Sequence, residues 1–487
     1  MTDWADCSAG EIVAGIAAKQ VSSRELLATF LERVERRSDL NAVVTLDAER
    51  AGAAAAAADE AVARGEPLGP LHGLPMTVKD AFETEGLRTT SGAPELADHV
   101  PDRDADAVAR LRAAGAVIFG KTNLPIYAGD IQTYNEVFGT TNNPWDLRRG
   151  AGGSSGGAAA ALAARLTPLE LGSDIGGSIR NPAHYCGVTG LKPTFGVVPI
   201  RGHIPGPPGA LGEGDIGVAG PMARTVEDLE LALGVLAGPD AARAVAWRLE
   251  LPPPRADALD GYRVATWLDD PYAPIDRSVG EPLERVVGTL ADAGARVDEG
   301  ASLGVDLQEI AEVYLQLLVG VLANGYPPAV LAAADEMAAA LDPADRSLPT
   351  LFLRGLAQRK REWNVAHERR EQIRARWAEL FTRVDVLLCP IAGTAAFPHD
   401  HNPDQLSRTV DVNGEQRPGL ETLVWAGLVG MAHLPSAVVP VGRTAEGLPV
   451  GIQVVAPYLE DRTALDVARR LSALVGDIGA PPEPAIA

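Results

Sequence analysis

The sequence predicts an α/β protein built on a buried sheet. Three observations predict it. Between residues 70 and 240, short apolar runs (PMTVKD, AVIFGKTN, LTPLELGSD, GVTGLKPT, DIGVAGPM) alternate with Gly-rich turns and Ala-rich helical stretches. Runs without polar alternation suit strands covered on both faces. The texture returns in VDVLLCP (384–390), SAVVPVG (436–442) and VGIQVVAP (450–457). No internal repeat or flexible linker separates the parts, so 487 residues with 46% apolar content read as one interwoven domain, 1–487.

Taken in order, residues 8–65 read as helices. SAGEIVAGIAAK and SSRELLATFLERVERR carry apolar residues at i, i+3, i+4 and i+7, and Ser22 or Ser23 caps the second. The Ala-rich stretch 45–64 is the third, ended by Gly65 and Pro67. Core motifs fill about 70–240 and 384–475. Between them GYRVATWLDD (261–270) is a strand and about 276–382 a helical insertion. TALDVARRLSALVG closes as a helix.

Bulk properties bound the function. A net charge of −22 predicts a surface that repels nucleic acid and anionic lipid. Cys7, Cys186 and Cys389 are too few and too dispersed for a disulfide framework, which predicts a reducing, cytoplasmic setting. The start, MTDWADCSAGEIV, lacks the apolar core of a signal peptide, and no run reads as a membrane span. Only five of the 43 basic residues are lysines, and Lys79, Lys121 and Lys192 sit in Gly- or Pro-rich strings. A lysine kept among arginines suits a site where the amine loses its proton.

Three motifs compete for the chemistry. GAVIFGKT (115–122) fits the phosphate-loop pattern G-x-x-x-x-G-K-[ST]. Its variable residues, Ala116 to Phe119, are apolar and read as a strand, and Pro125 interrupts a following helix. GGSSGG (152–157) fits G-x-S-x-G on Ser154 or Ser155. A nucleophile elbow needs a strand before it and an Asp and then a His after it; PWDLRRGA reads as no strand, and His433, in GMAHLPSA, has nothing to mark it as the triad's histidine. The third motif adds GSDIGGSIR (172–180), with Ser178 following Ser154 across an Ala-rich helix. Gly176 and Gly177 let the backbone bend so that N–H groups converge, as an oxyanion hole requires. Two Gly-flanked serines and a strand lysine point to a serine activated without histidine.

GGSSGGAAAALAA…GSDIGGSIRNPAHYCGVTGLKPT resembles the amidase signature family. LHGLPMTVKD, VIFGKTNLP, FGTTNNPWD, GPMARTVEDLELAL and GLPVGIQVVAP extend the resemblance over nearly the whole chain. It implies a central twisted mixed β-sheet with helices on both sides. By the same resemblance, Ser178 is the nucleophile, Ser154 a bridging serine in a cis peptide bond after Gly153, and Lys79 the general base. The amides of Ile175, Gly176, Gly177 and Ser178 form the oxyanion hole, Asp174 and Arg180 brace the loop, and Ser155 and Ser173 support the serines. Lys121 and Lys192 are structural, and Cys186 is buried and inert.

Such a site hydrolyses a carboxamide through an acyl-enzyme. Lysine serves as base only when neutral, and burial favours that form. The reaction calls for no cofactor and no metal; His399 and His401 read as surface residues. Family members act on simple, aryl, peptide, lipid and cyclic amides, on carbamates, or as the glutaminase subunit of a tRNA amidotransferase. IRGHIPGPPGALGEGDIGVAGPM (200–222) departs from the serine string and D-Q-I-G-P motif of that subunit. The expectation is a free-standing amidase for small or aryl amides, with carbamates and esters as side substrates. Its pocket walls are Tyr127, Ile131, Gln132 and part of 315–322. Partners are then a small-molecule amide and no nucleic acid or membrane, with the chain a monomer or homodimer. An idle binding member is disfavoured because Lys79, Ser154 and Ser178 are all present.

Overall fold

Ser8 and Ser22 each accept the amide three residues on, and Glu11 and Glu25 return the bond to the serine's own amide. These capping boxes start α1 (Ala9–Ala17) and α2 (Ser23–Arg36). Ser22 is thus the cap, while the Ser23 hydroxyl donates to the Gly73 carbonyl. The computed structural model describes residues 3–483.

β1 (Val43–Leu46) then occupies the segment where the sequence predicts the start of the third helix. Its β-branched run pairs antiparallel with the neighbouring strand, and the partner decides between helix and strand. α3 (Ala48–Arg64), β2 (Pro75–Lys79), α4 (Asp106–Ala113) and β3 (Val117–Thr122) follow. GAVIFGKT therefore carries a buried strand. Lys121 donates to the Phe82 carbonyl and to the Thr84 and Thr89 hydroxyls at 2.5, 2.8 and 3.2 Å, which leaves no cation for a phosphate.

β4 (Tyr134–Asn135) with β5 (Gly139–Thr140), and β6 (Asn142–Asn143) with β7 (Asp146–Gly150), form two small hairpins. PWDLRRGA, read as strandless, thus holds β7, outside the main sheet; it pairs with β6 and bridges antiparallel to Pro398 through Arg149. Its polar residues give no apolar signal because the hairpin lies off the core. Next come α5 (Gly156–Ala163), β8 (Leu169–Asp174), α6 (Arg180–Cys186), β9 (Thr189–Lys192), β10 (Val218–Ala223), α7 (Val226–Leu236) and β11 (Arg263–Thr266).

The insertion holds α8 (Arg277–Asp292), β12 (Arg296–Asp298), α9 (Leu307–Leu322), α10 (Pro328–Ala339), α11 (Leu348–Leu356) and α12 (Lys360–Arg383). β12 is a strand inside the stretch predicted helical; it adds parallel to β11 at the sheet's edge. The chain finishes with β13 (Val386–Cys389), β14 (Thr409–Val412), β15 (Glu415–Pro418), α13 (Val424–Gly430), β16 (Ser436–Arg443), β17 (Pro449–Val455) and α14 (Asp461–Val475).

Eleven strands form one sheet in the order β1-β3-β2-β8-β10-β9-β16-β17-β13-β11-β12. It is mixed: β2 runs parallel to β3 and β8, while β8, β10, β9, β16 and β17 alternate antiparallel. Helices flank it, and α5, buried at every position, packs on β2, β8 and β10. Because β2 and β8 are parallel neighbours, Lys79 and Ser173 finish at the same end of the sheet. Among the described residues no helix is long and apolar enough to cross a membrane.

Candidate active site

Lys79 stands at the end of β2 with its side chain wholly buried. Nζ lies 2.7 Å from Ser154 Oγ, 2.9 Å from Ser173 Oγ and 3.0 Å from Ser155 Oγ. Burial pushes the amine down to about 7, against the opposing pull of Asp174 and Glu170. Near neutral pH such a lysine exists in both forms, so it can take a proton and return it.

Ser154 and Ser155 occupy the turn between β7 and α5, and the Gly153–Ser154 peptide is cis. The Ser155 amide donates to the Ser178 carbonyl at 3.0 Å, which ties the two serine loops together. A Cβ on Gly153 would meet the Asp130 carbonyl oxygen at 2.4 Å and the Ile131 carbonyl carbon at 2.6 Å. The Ile131 backbone therefore packs directly against Gly153. Gly157, one turn on, would place a Cβ 2.4 Å from the Asn123 amide nitrogen and 2.8 Å from the Ala42 carbonyl oxygen. Alanine is ordinarily the better helix former. Gly157→Ala is nevertheless expected to cost about 1–3 kcal/mol, because the clash is with backbone. Urea unfolding checks the sign.

Ser178 lies in the turn from β8 to α6. Gly177 adopts φ 100°, and a Cβ there would come within 2.8 Å of Asn181 Oδ1, so only glycine fits. Its amide donates to Asp174 Oδ1 at 3.0 Å. Among the described residues the amides of Ile175, Gly176 and Ser178 have no such partner. The Tyr314 hydroxyl of α9 donates to the Ile175 carbonyl at 3.3 Å.

Asp174 and Arg180 form a fully buried ion pair at 2.8 Å. Burial would raise the carboxyl, but the charge and hydrogen bonds of Arg180 outweigh it and hold Asp174 at about 2. Arg180 also donates to the Ala426 carbonyl and to Gln453 Oε1, both at 2.8 Å, and so anchors the loop to β17. Arg180→Ala strands Asp174 and is expected to cost about 3–5 kcal/mol in denaturant unfolding.

Sequence-predicted pocket residues fare unevenly. The Tyr127 hydroxyl donates to Glu95 at 2.6 Å. Gln132 uses both ends of its amide on the Asp400 backbone, at 2.6 and 2.9 Å, which makes it a brace for the 400 region. Leu315, Leu317, Leu318 and Val319 are buried in the core. His433 bonds Asp215 at 2.9 Å and Arg370 at 3.2 Å, whereas the paired serines meet Lys79, so the elbow reading loses its base. Cys186 is buried, and burial raises its thiol out of the reactive range.

Three contacts escaped the sequence reading. Arg408 and Asp130 form a nearly buried ion pair behind the 130–132 loop. Gln453 gathers Arg180 and the Ser436 hydroxyl. His203 Nε2 lies 2.8 Å from Ser173 Oγ. His203 stood in plain view within IRGHIP, but a lone histidine among glycine and proline gives no local clue to a partner in β8.

A mixed sheet carrying serine-rich loops beside a buried lysine belongs to the amide-cleaving hydrolases. The family model Amidase matches residues 25–465, and the chain belongs to that amidase signature family. It is 35% identical over 512 residues to a glutamyl-tRNA(Gln) amidotransferase subunit from Anaeromyxobacter sp. (strain K), covering 97% of each chain. A structure titled "Crystal structure of amidase" superposes with a TM-score of 0.79 at 32% identity, covering 96% of this chain and 100% of that one. A bacterial aryl acylamidase gives 0.79 at 26% identity, covering 96% of both. The expected setting needs correction. A relative that belongs to a tRNA amidotransferase overturns the expectation of a monomer or homodimer limited to a small-molecule amide without nucleic acid. Net charge sums the whole surface and says nothing about a local docking face.

Proposed function

We propose that the chain hydrolyses a carboxamide C–N bond through an acyl-enzyme on Ser178. The carrying observation is the 2.7 Å contact between buried Lys79 and Ser154. Neutral Lys79 takes the Ser154 proton as Ser154 takes that of Ser178, and Ser178 Oγ bonds the carbonyl carbon. The developing oxyanion meets the amides of Ile175, Gly176 and Ser178. The C–N bond breaks as the relay returns the proton to the departing nitrogen, and water then cleaves the ester. One domain spans 1–487 in this reading, with a cytoplasmic setting.

For the substrate, the relatives favour the amidotransferase alternative over a broad free-standing amidase. The amide is then the side-chain carboxamide of glutamine, and ammonia passes to a second site with partner subunits. A second reading, a small or aryl amide, is supported by the amidase and aryl acylamidase structures and by the 200–222 departure. Ammonia release from L-glutamine, measured with and without amidotransferase partner subunits, set beside 4-nitroacetanilide hydrolysis, separates the two. Glutamine turnover that rises with partners supports the first; anilide turnover with no glutamine turnover in either condition rejects it.

A further inference from the structure

We infer that His203 is a positioning residue that points the free electron pair of Lys79 at Ser154. The inference rests on the Ser178–Ser154–Lys79 reading and adds the proton wiring behind it.

Neutral lysine has two N–H bonds and one lone pair, yet three serine oxygens surround Nζ at 2.7, 2.9 and 3.0 Å. General-base action needs the lone pair on Ser154, so both N–H bonds must go to Ser155 and Ser173. Those two hydroxyls must then send their own protons elsewhere. Ser155 Oγ donates to the Ser173 carbonyl at 3.3 Å. Ser173 Oγ has His203 Nε2 at 2.8 Å. With Nε2 as acceptor, Ser173 cannot donate to Lys79, and Ser154 is the one hydroxyl left to do so.

The fold holds the imidazole for this purpose. Residues just after β2 bridge antiparallel to the 202–204 segment: Phe82 pairs with His203, the Glu83 amide donates to the Gly202 carbonyl, and the Ile204 amide to the Ala81 carbonyl. The Phe82 ring meets the imidazole edge-on at 4.9 Å. Desolvation and the nearby Lys79 push His203 down to about 3, so the ring is neutral over the working range, and the Nδ1–H tautomer is the one that leaves Nε2 free to accept from Ser173. Asp174 and Glu170 are the other charged groups acting on Lys79.

The test is the rate of fluorophosphonate labelling, followed by intact mass from pH 6 to 10, which needs no natural substrate. In labelling, Ser178 Oγ bonds phosphorus, fluoride leaves, and the serine proton passes through Ser154 to Lys79. His203→Ala is expected to label about 10–100-fold more slowly, with the deficit persisting on the alkaline plateau where Lys79 is neutral. His203→Gln, whose amide oxygen can accept, should label faster than His203→Ala. The double variant His203→Ala/Ser173→Ala should also label faster than His203→Ala, because the competing hydroxyl is gone. A purely structural histidine predicts a double variant no faster than the single. That result, or a deficit that vanishes at high pH, overturns the inference; should His203→Ala not fold, a Gln variant no faster than His203→Leu does so. Labelling of wild type that persists in Ser178→Ala removes the parent reading and this one with it, whereas Ser178 labelling unchanged in His203→Ala removes this one alone.

Discussion

Ser178→Ala is expected to lower kcat/KM by about 10⁴-fold or more while leaving thermal unfolding close to wild type. The loss is large because no neighbouring group replaces the nucleophile, and the remaining amides stabilise an oxyanion that no longer forms. Ser178 spends only its backbone on the fold: its carbonyl receives the Ser155 amide, a bond that alanine keeps. Intact mass after fluorophosphonate treatment gives the sharpest measurement, with one adduct on wild type and none on the variant. Labelling that survives in Ser178→Ala but is lost in Ser155→Ala would move the nucleophile to the other loop.

Lys79→Met should lower the acylation rate by about 10²–10⁴-fold, the usual range for a general base. In wild type the rate should climb through about pH 7 as the amine deprotonates, then level off. A rate flat from pH 6 to 10, with chemistry limiting, excludes Lys79 as base. The same shift predicts a stability effect of defined sign. Folding drops the lysine from an ordinary value of 10.5 to about 7, so between those values the unfolded chain binds more protons. Stability therefore rises with pH across that window. Below about 7 the buried site must hold a charge, and its full cost is present. Lys79→Met removes the titration, so it should be more heat-stable than wild type at pH 7, with the advantage shrinking toward pH 10. A buried lysine that lowers the stability of its own fold is what the proposed base role predicts, and the neighbouring Lys121 makes the contrast. Lys121 has three protein acceptors and no serine of either loop among them, so its replacement should reduce stability first.

The Asp174–Arg180 pair shows how distant elements share the work. Arg180 belongs to α6, yet two of its bonds reach Ala426 and Gln453, 246 and 273 residues away. The Ser178 loop is thereby fastened to β17 and α13, and Tyr314 of α9 adds a contact from the insertion. This arrangement explains why the chemistry-bearing motifs at 79, 154 and 178 need the last third of the chain.

Local chemistry alone determined much of this protein. Gly-flanked serines, a lysine at the end of an apolar run, and strands marked by unbroken β-branched and aliphatic residues are legible because each depends on near neighbours. So are a serine cap at Ser22 or Ser23, of which the structure uses Ser22, and the dismissal of the phosphate loop. Tertiary structure decided the rest. β1 and β12 are too short to announce themselves and exist through the strands they pair with; β7 exists through its hairpin partner. The bond from the Gly177 amide to Asp174 depends on the bend of one turn. His203 meets Ser173 across 30 residues and Lys79 meets Ser173 across 94. Hydrogen-bond polarity in that cluster follows from which acceptors packing brings together, and no spacing rule in a linear chain encodes it.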